Sequence, residues 1–128
     1  MKNSITLIGL LFSFGSFAQT FVQAGTTPES TQVSITYYEN EGANRPSVDI
    51  EFKDEFKPFE YIIPACPGDF AWCLRNQNND DVAYVKLDIQ KGAMFVDVQL
   101  EETRMAELSV QEVYHIMLLR GVYTQVAK

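Results

Sequence analysis

The chain has 128 residues, 46% of them hydrophobic and 21% charged. That is the balance of one folded domain: too apolar for a disordered chain, and too short for a cofactor domain beside a substrate domain. Ten Lys and Arg stand against 17 Asp and Glu, a formal charge of −7. Nucleic acid and anionic lipid are therefore poor partners, because both are held mainly by cationic side chains.

The chain opens with the three-part layout of a secretory signal peptide. Met1-Lys2-Asn3 supplies a positive start, Ile5 to Phe17 is mostly apolar, and Ser16-Phe17-Ala18 places small residues where a signal peptidase reads them. A second small-x-small site, Val22-Gln23-Ala24, lies further on. The apolar run is shorter than the ~20 residues a helix needs to cross a bilayer, so no membrane insertion is expected after cleavage. Residues 1–18 are expected to be removed, 19–30 to form a polar, flexible lead-in, and 31–128 to make one domain. Losing Lys2 with the leader makes the mature chain more acidic still.

From Thr31 onward the pattern alternates with the period of half-buried strands. Val33, Ile35 and Tyr37 share one face, and Val48, Ile50 and Phe52 share another after a turn over Glu39 to Pro46. Phe56 to Pro64 suggests a short strand bounded by prolines. Cys66 and Cys73 follow, the only two cysteines, and an even count in an exported chain predicts a disulfide. Closing so short a loop stabilises a fold by roughly 2.5 kcal/mol on the chain-entropy model. Neither the Cys-x-x-Cys of a redox centre nor the ligand count of a zinc site is present.

Two further strands are predicted from Val85, Leu87 and Ile89 and from Met94, Val96, Val98 and Leu100. They are joined by Gln90-Lys91-Gly92-Ala93 as a three- or four-residue hairpin loop. Ser109-Val110-Gln111-Glu112 is a capping box opening a helix, with Gly121 placed for a left-handed cap at its end. Val122 to Val126 is the candidate for a final strand. The expected fold is α+β: an antiparallel sheet of about five strands with one C-terminal helix packed on one face. Tyr38, Tyr84 and Phe95, on the nominally polar faces, suggest a second covered surface, met by the helix or by a second subunit.

No catalytic constellation is expected. His115 stands alone in the predicted helix, without a nucleophile partner. Asp49/Glu51 and Asp97/Glu101 have the residue types of a glycosidase pair, yet alternation places them on solvated strand faces. Asn76-x-Asn78-x-Asp80 opens like a calcium loop, but Asp81 replaces its glycine and Leu87 its closing glutamate. No catalytic residue, metal or cofactor is therefore assigned.

Two features suit recognition. Cys66-Pro67-Gly68-Asp69-Phe70-Ala71-Trp72-Cys73 is a closed turn carrying an acid and two aromatics, the residue types of interface anchors. Phe70 and Trp72 could equally fold inward as a lid, since Trp is usually buried. Acidic pairs near turns, Glu39/Glu41, Asp54/Glu55 and Glu101/Glu102, would steer a basic partner. The expected partner-binding set is Asp69, Phe70, Trp72, Glu39, Glu41, Asp54 and Glu55.

On size, leader, charge and this cysteine loop, the chain resembles the small periplasmic immunity proteins paired with peptidoglycan-degrading effectors of type VI secretion systems. More narrowly it resembles partners of lysozyme-like domains fused to a secretion spike. The resemblance implies a non-catalytic, periplasmic inhibitor, often a homodimer, that occludes the groove of a basic effector enzyme. The alternatives are a periplasmic small-ligand-binding or envelope-associated module, and a hydrolase with an unrecognised carboxylate pair.

Overall fold

The computed structural model describes residues 16–40, 47–64, 66 and 68–126. They form one eight-stranded antiparallel sheet and a single short α-helix. The strands are β1 (Ser16–Gln23), β2 (Val33–Asn40), β3 (Ser47–Phe52), β4 (Tyr61–Ile63), β5 (Trp72–Arg75), β6 (Asp81–Gln90), β7 (Ala93–Leu100) and β8 (Gly121–Gln125). The helix α1 covers Val110–Leu118, preceded by a 3₁₀ segment at Glu102–Glu107. Spatial order is β3-β2-β1-β8-β7-β6-β5-β4. The sheet curls into a nearly closed barrel. Phe52 at the end of β3 and Phe59 just before β4 meet edge to face at 6.5 Å, although β3 and β4 are the opposite edges of the sheet.

This corrects the expectation of about five strands with a helix as the second layer. β1 and β5 are the strands not foreseen. Gln19 to Gln23, read above as part of a flexible lead-in, pair with β2 on one side and β8 on the other. Phe21 and Val22 are buried there. β1 is thus the strand that joins the β2–β3 side of the sheet to the β6–β7–β8 side. Trp72 to Arg75, read as part of the cysteine loop, form β5 between β4 and β6.

One face of each strand turns inward, as the alternation dictates. Phe21, Val33, Ile35 and Phe52 meet Trp72, Leu74, Val85, Met94, Val96, Val98 and Tyr123 in one core, to which α1 adds Ile116 and its C-cap adds Leu119. The Tyr123 hydroxyl donates to the Leu119 carbonyl at 2.9 Å, so the one buried phenol here is satisfied. Burial pushes its ionisation up.

Local signals account for the ends of elements. Ser109 Oγ accepts from the Glu112 amide at 3.1 Å and Glu112 Oε1 accepts from the Ser109 amide at 2.7 Å, the capping box in full. The helix stops at Leu119 with right-handed geometry. Gly121, expected as a left-handed cap, instead starts β8 with φ +142°. The β6–β7 hairpin is tighter than expected. Gln90 pairs directly with Ala93, and Lys91 and Gly92 take φ 49° and 83° in a two-residue turn whose twist matches that of its strands.

Candidate functional site

The bridge between Cys66 and Cys73 forms, with Cα atoms 5.6 Å apart. Such bonds persist in oxidising compartments. No helix among the described residues is long and apolar enough to cross a membrane.

The bridge fixes where the loop points. Trp72 and Cys73 are adjacent in β5, so their side chains leave opposite faces of the sheet. Trp72 goes inward beside Val85 and is 1% exposed. Cys73 stands opposite Tyr84 on the outer face, and the loop folds back over that face. The Phe70 ring lies 5.2 Å from that of Tyr84. Lys86 sits 5.5 Å above Phe70 and reaches Asp69 at 3.5 Å. The Asp69 side chain is 85% exposed. An ion pair that open to water contributes little, so Asp69 is free to exchange Lys86 for another cation.

Trp72 is therefore withdrawn from the expected partner-binding set: it belongs to the core, as an inward lid would have it. Asp69 and Phe70 remain at the surface, exposed and half-buried respectively. Tyr84, expected beneath the helix or a second subunit, is covered by the loop's own Phe70. Its hydroxyl donates to Glu101 Oε1 at 2.5 Å, and this bond, with burial, pushes the phenol up to about 12. Phe95 and its cross-strand neighbour Val122 stay 43% exposed, beside Lys86, Asp97 and Arg120.

The acidic pairs do not come together as one patch. Glu39 stands opposite Phe17 near the end of β2, and Glu41 lies outside the described residues. Glu55 is exposed with φ 65°, a left-handed geometry uncommon for a side-chain-bearing residue. Asp54 is exposed, with its side chain 61% open to solvent, but both its oxygens are engaged. One of its oxygens accepts from the Phe56 amide at 3.0 Å and the other meets His115 Nε2 at 2.7 Å.

That contact belongs to a cluster missed by sequence reasoning. His115 is 5% exposed, its ring stacked on Phe56 at 4.3 Å and edge-on to Phe52 at 5.2 Å. Its Nδ1 faces the Gln111 carbonyl at 2.8 Å. A carbonyl and a carboxylate are both acceptors, so both ring nitrogens are placed to donate, an arrangement that favours the protonated imidazole. Burial opposes that charge, but the bonds to Asp54 and Gln111 outweigh it and the ring's pKa is raised. The bond from His115 in turn lowers the Asp54 carboxyl. With both nitrogens engaged, the ring has none to offer a substrate unless a bond breaks.

The remaining candidates are consumed by structure. Asn76 Oδ1 accepts from the amides of Asn78 and Asp80, while Asp80 pairs with Arg104 and Asp81 with Arg75. Asp97 pairs with Arg120 at 2.9 Å. Among the described residues, no three His, Cys, Asp or Glu side chains converge as metal ligands. Comparison with known proteins gives no match to any family model, to any curated protein or to any solved structure.

Proposed function

We propose that this is an exported inhibitor, working in the periplasm, that occludes the substrate groove of a basic, secreted cell-wall-degrading enzyme. The observation that carries the reading is the bridged loop, rooted through Trp72 in the core and presenting Asp69 to solvent ahead of Phe70. A projection held in shape by a covalent bond and a buried anchor loses little entropy on docking. The chain's net negative charge steers it toward a cationic rim, and wall-degrading enzymes with anionic substrates carry such rims. Binding and not bond-breaking is the activity in this reading. A second copy of the chain would meet the first over Phe95 and Val122, the exposed apolar pair on the outer face.

The test is the clearance of a peptidoglycan suspension by basic lysozyme-like muramidases, with and without the purified protein. Stoichiometric protection against at least one enzyme, relieved by added salt, is the expected result. Unchanged clearance across the panel, or clearance by the protein alone, contradicts the proposal. A second reading, small-ligand binding, is favoured by one observation: a groove of about 540 Å³ lined by Thr31, Gln32, Phe52, Lys53 and Phe56. A ligand retained in native mass spectrometry, with no protein partner, would replace the first reading by this one.

A further inference from the structure

The structure assigns the mature amino terminus to Gln19, and with it a modification site: cyclisation of that residue to pyroglutamate. The inference rests on the export reading and goes beyond it, because the two candidate processing points, after Ala18 and after Ala24, have different structural consequences.

Cutting after Ala24 removes β1 entirely. Phe21, fully buried, and Val22, nearly so, would be lost from the fold. β2 and β8 would each lose a neighbour, and the β2–β3 pair, which is joined to the rest of the sheet through β1, would be cut off from β8 and β7. The turn that follows β1 would come apart as well. The Gln23 side-chain carbonyl accepts from the Gln32 amide at 2.9 Å. The Gln23 main-chain carbonyl accepts from the Thr26 hydroxyl at 2.6 Å, and the Ala24 amide donates to the Val122 carbonyl at 2.9 Å. Three hydrogen bonds that seat β1 and its turn thus depend on residues that cleavage at Ala24 discards. Cutting after Ala18 keeps all of them. It also keeps Thr20, whose carbonyl accepts from the Val126 amide at 2.8 Å. The β1–β8 register begins only at Phe21, so the new end lies where β1 has β2 alone beside it.

The residue so exposed is a glutamine, and its position favours ring closure. Gln19 is half-buried and directly opposite Tyr37, two pairs from the buried Phe21–Ile35 pair and on the same face of the sheet. A new ammonium group is poorly placed beside such a surface. In its uncharged form the α-amine can attack the side-chain amide carbon of the same residue, closing a five-membered lactam. The new bond joins the α-nitrogen to Cδ, the bond from Cδ to the amide nitrogen breaks, and ammonia leaves with the proton given up by the amine. No oxidant or co-reactant is needed, and proximity within one residue supplies the geometry. The product carries no charge at its end.

The experiment is intact-mass measurement and amino-terminal sequencing of protein recovered from the periplasm of cells expressing the full chain. The expected mass is that of residues 19–128 with the disulfide closed and one ammonia lost. Stepwise degradation should be blocked until pyroglutamyl aminopeptidase exposes Thr20. A Gln19→Ser variant should be cut at the same place, lose no ammonia and be open to sequencing. A chain starting at Gly25, or one starting at an uncyclised Gln19 after prolonged incubation, overturns the inference alone. A chain that keeps Met1 overturns the export reading and the inference with it.

Discussion

Two loops are tied down at the margins of this sheet by different means, and the difference sets what each can do. The 66–73 loop is closed by a covalent bond and anchored by Trp72 at the centre of the core. The segment after β3 is tied to α1 by one imidazole–carboxylate contact, with Phe56 stacked on the ring. The first restraint does not respond to acidity. The second does, because it is strongest when the ring is protonated and the carboxyl ionised at once. A fixed projection suits docking onto a partner's cleft, whereas a titratable tie suits a joint whose strength follows the compartment's pH.

Substitutions can separate these two restraints. The largest effect is expected from Trp72→Ala, which opens a cavity in the middle of the core and should cost about 3–5 kcal/mol in urea unfolding. A small loss there would mean that the loop is not rooted as described. Replacing both cysteines by serine should cost roughly 2.5 kcal/mol. Its unfolding midpoint should be indifferent to dithiothreitol, where that of the parent falls. Ser109→Ala removes the acceptor for the Glu112 amide and should cost about 1 kcal/mol. That loss tests the helix which carries His115.

The titratable tie should show in the shape of the pH profile. The folded imidazole's pKa lies above its ordinary 6.5, so its stabilising contribution is fully present below 6.5 and lost as pH rises through the raised value. The folded carboxyl of Asp54 lies below its ordinary 3.8, so its contribution is present above 3.8 and lost as pH falls through the lowered value. The contact therefore contributes most between these limits. Thermal unfolding of the parent should shift downward as pH rises beyond 6.5, and His115→Gln should flatten that limb. A variant that keeps the parent's slope would place the pH dependence elsewhere.

Strands with a clean period of two were legible before any coordinates. β2, β3, β6 and β7 turn the residues that alternation selects toward the core, buried or half-buried, and the capping box marks the start of α1. β1 and β5 were not legible, for a physical reason. Gln19 to Gln23 put Phe21 and Val22 on opposite faces and bury both, so the pattern of a half-exposed strand is missing. Trp72, Cys73 and Leu74 are buried in succession for the same reason, Cys73 being covered by its own loop. Of the recognition features, the bridge could be read from cysteine parity, but the direction of Trp72 could not, because it depends on β5 pairing with β6. The Asp54–His115 contact spans 61 positions. Only the curling of the sheet, which brings the end of β3 to α1, places those two residues together.

In the proposed function, the bridged loop meets a partner through Asp69 without contributing to the fold through it. Calorimetric titration of a muramidase that the parent protein inhibits, repeated with Asp69→Lys, tests this most directly. Reversing so exposed a charge should change unfolding stability by less than about 0.5 kcal/mol while weakening the complex at least tenfold. Equal affinity for the two proteins would contradict the claim.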